Sequence, residues 1–154
     1  MAESITENFK SVEGSCLYMS SLLFSMINEH LPVEAFLVTG SLSVGGYKVF
    51  THSPIKPQLT QKSGVIGQWN GHAWVEVEDI IFDLSIFRTV FAPSTSDHIQ
   101  RTFEDRFNRD TAYLVGQKSK LIEMGIEYRP LEQLFEDDAT IFIQSSEKMK
   151  LIRI

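Results

Sequence analysis

Residues 71–85 read GHAWVEVEDIIFDLS. Two β-prone runs, 72–77 (HAWVEV) and 80–85 (IIFDLS), flank Glu78-Asp79, and this arrangement predicts an antiparallel hairpin. A two-residue turn would set Val77 opposite Ile80. Counting outward then puts Trp74 opposite Asp83 and His72 opposite Ser85, with all four on one face. His72 and Asp83 become diagonal neighbours, roughly 7 to 8 Å apart at the backbone and closer at the side chains. A four-residue loop keeps this pairing, whereas a three-residue loop turns Asp83 to the opposite face. Strand interiors disfavour aspartate, and a buried charge needs a partner, so Asp83 between Phe82 and Leu84 calls for one. His72 is the nearest candidate. The same alternation sends Ala73, Val75 and Val77 to the other face, into a core.

Upstream of the hairpin, apolar residues Met19, Leu22, Leu23, Met26 and Ile27 recur with helical spacing between Cys16 and His30. Pro32 ends that pattern. Glu13, Gly14 and Ser15 form a polar turn, with Ser15 as the expected N-cap, so Cys16 stands in the first turn of the helix. Strands are expected at Ala35 to Thr39 and Tyr47 to Thr51, around a Gly45-Gly46 turn. Residues 52–70 (HSPIKPQLTQKSGVIGQWN) carry two prolines, two glycines and little periodicity. They read as a long surface loop, a length more often functional than accidental.

Downstream, residues 96–124 read as two helices broken near Asn108 to Asp110. A short helix after Pro130 and strands at Thr140 to Gln144 and Met149 to Ile154 would complete the chain. Helices and antiparallel strands are grouped rather than alternating as βαβ units, so the expected class is α+β. With 154 residues, 43% hydrophobic, and no repeat or linker to divide the chain, one domain over 1–154 is expected.

Composition removes several function classes. Fourteen Lys and Arg against twenty Asp and Glu give a net charge of -6, with no basic block to neutralise phosphates. Nucleic acid is not an expected partner. The opening MAESITENFKSVEG is polar and acidic where a secretory signal needs a basic start and an apolar stretch, and no run approaches the roughly 18 apolar residues that span a bilayer. The expectation is a cytoplasmic, soluble protein without membrane association. A single cysteine rules out an internal disulfide, a CxxC motif and a cysteine-rich zinc site. His30, His52 and His98 lack metal-ligand spacing and are assigned to solvent or capping roles. The acidic cluster Glu136, Asp137 and Asp138 reads as a solvated turn after the short helix, and residues 104–110 (EDRFNRD) as an exposed helix end.

A thiol attacks as thiolate, and the free N–H groups at a helix N-terminus favour that anion. An imidazole can take the thiol proton, and a carboxylate on its other nitrogen fixes tautomer and orientation. Cys16, His72 and Asp83 supply one group for each role. Alone, Cys16 would be a small buried hydrophobe, His72 a satisfied sheet residue and Trp74 a core residue. Their combination carries the catalytic reading.

The order of three segments, GSCLYMSSLLFSMI at 14–27, GHAWVEV at 71–77 and IIFDLS at 80–85, resembles the transglutaminase-like superfamily, a branch of the papain-like cysteine enzymes. The resemblance spans the first half of the chain, and the His strand is its most specific part. It implies a Cys-bearing helix packed on an antiparallel sheet, with additional C-terminal helices. It also implies acyl transfer through a thioester on Cys16, with His72 shuttling protons and Asp83 orienting it, and no cofactor or metal. The substrate would be a peptide, amide or acyl conjugate, and whether there is a protein partner is left open. The Cys16 N–H is the first candidate for the oxyanion, followed by Gln68, Trp69 and Asn70, with Trp74 a candidate substrate wall. Arylamine N-acetyltransferases share the Cys, His, Asp order, but EGSC replaces their arginine-glycine-rich lead-in and this chain is much shorter. Two other classes stay open: an inactive member of the fold used as a binding or scaffold module, and an assembly role for the C-terminal half.

Overall fold

The computed structural model of the protein describes residues 1–10, 15–59 and 69–153. The elements in chain order are helices α1 (Ala2–Asn8) and α2 (Cys16–His30), strands β1 (Ala35–Val44) and β2 (Tyr47–Phe50), and the short helix α3 (Lys56–Leu59). They are followed by strands β3 (His72–Val77) and β4 (Ile80–Asp83), helices α4 (Ile86–Val90) and α5 (Asp97–Glu104), and strand β5 (Leu114–Gln117). Helix α6 (Lys118–Glu123), strand β6 (Ile126–Leu134) and helix α7 (Glu136–Lys148) complete the set, giving the expected α+β class.

The strands form one antiparallel sheet built around β1, the longest of them. One edge of β1 takes β3 along residues 35–40 and β2 along 42–44, while its other edge takes β6 along 37–44. The sheet continues from β3 to β4 and β5. Alternation along β1 and β3 divides the core in two. Ala35, Leu37, Ala73 and Val75 pack with Met19, Leu23 and Ile27 of α2 and Ala139 and Phe142 of α7. Val38, Leu42, Val44 and Trp74 point the other way, toward Ile86 and Phe87 of α4 and Phe103 of α5. The sheet is thus covered on both faces, which explains why β3 is buried along nearly its whole length.

The hairpin forms in the expected register, with Val77 opposite Ile80, Glu76 opposite Ile81 and Val75 opposite Phe82. Glu78 takes φ +54 in the two-residue turn. The second strand is shorter than expected and ends at Asp83. The Asp83 carboxylate accepts the backbone N–H groups of Ser85 at 3.1 Å and Ile86 at 3.0 Å, which turns the chain into α4.

Two β-bulges set which side chains reach which core. On β2, Leu42 faces Phe50 but Ser43 faces Lys48, so Val49 is the extra residue and Phe50 shares the face of Leu42. On β6, Thr39 faces Glu132 but Gly40 faces Pro130, which leaves Leu131 unpaired. Ile126 therefore joins the α4–α5 core, while Leu134 joins the α2–α7 core. One strand serves both faces. Gly40 sits at this crossing, where a Cβ would lie 1.9 Å from the Arg129 carbonyl oxygen.

Several expectations are corrected. The segment 96–124 is not helical throughout, because Leu114–Gln117 pairs with β4 as strand β5, with Gly116 opposite Ile81. The region after Pro130 is strand rather than helix; proline is accommodated next to the bulge, where ladder pairing is already broken. Thr140 to Gln144 lies inside α7, not in a strand, because Ala139, Phe142, Ser145 and Ser146 are buried at helical spacing. Glu136, Asp137 and Asp138 are the first turn of that helix, and the Asp138 carboxylate accepts the Phe135 N–H at 2.8 Å. Among the described residues of the expected strand from Met149, only Ile152 makes a β-bridge, to Phe9. Residues 52–59 include α3 and the fully buried Ile55 rather than surface loop alone, and residues 60–68 lie outside the described residues. No helix among the described residues is long and apolar enough to cross a membrane.

Candidate active site

Cys16 is the first residue of α2, where the N–H groups of the opening turn have no intrahelical acceptor. Ser15 occupies the N-cap position, but its hydroxyl contacts Met19 Sδ at 3.4 Å instead of capping the helix. One turn further on, the buried Ser20 hydroxyl donates to the Ala73 carbonyl at 3.0 Å, tying the start of α2 to the start of β3. This tie sets Cys16 beside His72.

His72 opens β3 and Asp83 closes β4, and the two are the diagonal neighbours that the hairpin register predicts. His72 Nε2 lies 2.5 Å from Asp83 Oδ2, and neither side chain is more than 1% exposed. With Nε2 committed to Asp83, Nδ1 is the ring nitrogen left to face Cys16, which lines the same pocket. Burial disfavours a charged ring, but the Asp83 carboxylate outweighs it. Its charge and hydrogen bond, reinforced by Cys16, push the His72 pKa up to about 10. The ring is held flat by Phe50, stacked at 4.4 Å between centroids and 5° between planes. The β2 bulge is what turns Phe50 onto this face.

The second carboxylate oxygen is equally occupied. Oδ1 of Asp83 accepts from the Ser85 and Ile86 N–H groups and lies 3.4 Å from the Ser85 hydroxyl. Oδ2 is shared between His72 and the hydroxyl of Tyr128 on β6, which donates at 2.7 Å. Neither Tyr128 nor Phe50 is evident from sequence. Tyr128 is 45 residues from Asp83 and in a segment whose strand character depends on pairing with β1. A tyrosine among polar residues carries no local signal of such a bond.

A pocket of about 250 Å³ opens onto Cys16 and His72, walled by Val49, Phe50, Trp69, Asn70 and Gly71. Trp69 and Asn70 thus line the same pocket as Cys16 and His72. Trp69 is not a free donor, since its Nε1–H bonds the Ser53 carbonyl at 2.7 Å. Gln68 lies outside the described residues. Trp74 is no pocket wall: it is fully buried, with Nε1–H donated to Glu76 Oε1 at 2.9 Å. A larger hollow of about 760 Å³ between the C-terminal end of α2 and the start of α7 is lined by none of Cys16, His72 and Asp83.

His52 is not in solvent. Its Nε2 lies 3.0 Å from the Thr39 hydroxyl, which also contacts Glu132 Oε1 at 3.2 Å. Glu132 accepts the N–H groups of Ile55 and Lys56 in turn, at 2.9 and 3.3 Å. This buried network clips residues 52–56 to β6. Ser53 completes the pocket wall by donating its N–H to the Asn70 carbonyl at 2.8 Å. His30 is exposed, as expected, and His98 packs edge-on against Tyr47. Among the described residues, no group of three or more His, Cys, Asp or Glu side chains is arranged to hold a metal ion.

No protein-family model, curated protein or solved structure matches this chain. The chemistry open to the site is that of its own groups: a thiol at a helix start, an imidazole bonded to a carboxylate beside it, and that carboxylate fully bonded in turn.

Proposed function

We propose that the protein is a thiol enzyme of transglutaminase-like, papain-like type, which cleaves or transfers an acyl group from an amide or ester through a Cys16-His72-Asp83 triad. The observation that carries this reading is the bonding of His72. One ring nitrogen is bonded to Asp83 at 2.5 Å, and the ring and Cys16 line one pocket of about 250 Å³. In this scheme the Cys16 thiolate adds to the carbonyl carbon, and the oxyanion is received by the Cys16 N–H. The His72 imidazolium protonates the leaving amine or alcohol as the tetrahedral adduct collapses to a thioester. Neutral His72 then takes a proton from water or an acceptor amine, which attacks the thioester and releases the thiolate.

The test is the pH dependence of Cys16 alkylation by iodoacetamide, in the native chain and in His72→Ala and Asp83→Ala. A thiolate titrating well below the free value near 8.5, with that advantage lost in His72→Ala, supports the triad. Equal pH profiles in all three would refute it. Cys16 is only 5% exposed, and this favours a second reading, a module that binds through the same pocket without turnover. Under that reading, alkylation is slow at every pH and no amide or ester in a substrate screen leaves an acyl group on Cys16.

A further inference from the structure

Most of the Asp83 environment holds the carboxylate in place, but the two donors on Oδ2 compete for one oxygen. His72 Nε2–H and the Tyr128 O–H converge on it at 2.5 and 2.7 Å, and Tyr128 is half-buried, packed T-shaped against Trp74 at 5.0 Å between centroids. A carboxylate oxygen that accepts a second strong donor spreads its charge over both bonds and pulls less on each proton. The geometry points to Tyr128 as a positioning residue that moderates how tightly Asp83 holds the imidazolium proton of His72. This role rests on the triad reading for its catalytic meaning, because His72 must release that proton to a leaving group. An ion pair that was too strong would orient the ring yet keep the proton.

The groups that set this balance come from four elements. They are His72 on β3, Tyr128 on β6, Cys16 on α2 through the imidazole, and the Ser85 and Ile86 donors at the start of α4. Burial and the neighbouring Asp83 charge both push the Tyr128 phenol well above its ordinary range, so it remains a donor throughout the range in which His72 titrates. A plain space-filling role would need the ring and not the hydroxyl.

The experiment is an NMR titration of the His72 ring in the full chain, comparing the native protein with Tyr128→Phe and with 3,5-difluorotyrosine placed at 128. Tyr128→Phe removes the competing donor and is expected to raise the proton affinity of His72 about threefold to tenfold, moving its titration to higher pH. Difluorotyrosine keeps the shape and donates more strongly while its phenol is protonated, so over the pH range in which its fluorine resonances show it un-ionised it is expected to move the titration to lower pH. If Tyr128→Phe does not fold, the fluorinated residue alone decides. No movement in the folded variants, or movement in the opposite senses, overturns the proposal. The readout needs no turnover, so an inactive protein whose His72 responds as described refutes the triad reading and leaves the Tyr128 assignment standing.

Discussion

The β3–β4 hairpin and the β6–α7 unit are each a strand followed by a second element, yet one is legible from its own residues and the other is not. In the hairpin, the two-residue turn fixes the register, and the register fixes which side chains meet. Everything needed is local. In β6–α7, the pattern TIFIQ looks strand-like, and Pro130 looks like the start of a helix. Both signals are overridden by neighbours far away in sequence: β1 pairs with β6, and α2 covers Phe142 and Ala139 of α7. Chemistry divides the same way. The hairpin supplies His72 and Asp83, whereas β6 supplies Tyr128 and Glu132, which hold Asp83 and the pocket wall in place.

The largest effect should come from deleting Leu131. Without the extra residue, β6 cannot send Tyr128 to one face and Glu132 and Leu134 to the other. The expected cost is at least about 5 kcal/mol, comparable with the whole stability of a domain of this size. Denaturant unfolding checks it; a deletion variant with a near-native midpoint would mean that the bulge does not separate the two faces.

Next in size is a pair of substitutions in α7. As a helix, α7 buries Phe142 and exposes Thr140, whereas a strand would put both on one face. Phe142→Ala should cost about 3–5 kcal/mol and Thr140→Ala no more than about 0.5. Comparable losses at both positions would restore the strand reading.

These two regions also mark how far the sequence could be read. The Cys16 helix, the hairpin, its turn and the His72–Asp83 meeting follow from periodicity and from counting along strands. The bulges do not, because Val49 and Leu131 look like ordinary strand residues until their partners are known. Phe50 against His72 and Tyr128 against Asp83 depend on those bulges and on β6 pairing, so the support of the site stayed out of reach. Asp83 between two apolar residues signals its need for a partner, but nothing local signals its second task, accepting the N–H groups that end β4 and begin α4. That task is why the expected strand to Ser85 stops two residues early.

A third prediction concerns the hairpin by itself. The His72 pKa is raised from 6.5 to about 10, so the ion pair's contribution to stability is fully present below pH 6.5 and is lost as pH rises from there through about 10. The native chain should therefore lose on the order of a few kcal/mol over that window relative to His72→Ala, which lacks the titrating ring. Parallel pH dependence of unfolding in the two proteins would show that the pair is not charged when folded. The same titration should shape turnover. Release of the leaving group needs imidazolium, so activity should fall toward pH 10 while alkylation of Cys16, which needs only thiolate, should not.

The smallest expected effect is the most discriminating. Leu131 is 56% exposed, and its side chain joins neither core. If its role is to be one extra residue in the count, replacing it matters far less than removing it. Leu131→Ser keeps the count and should change stability by no more than about 0.5 kcal/mol, as surface substitutions do. The contrast with the deletion, at least tenfold larger in free energy by these estimates, isolates backbone register from side-chain burial. A substitution as damaging as the deletion would mean that Leu131 packs against something, and the apolar side chain rather than the bulge would then be what β6 contributes at this point. A near-neutral substitution beside a crippling deletion would establish that the support of the site is set by counting along β6, which is why no single residue there announces it.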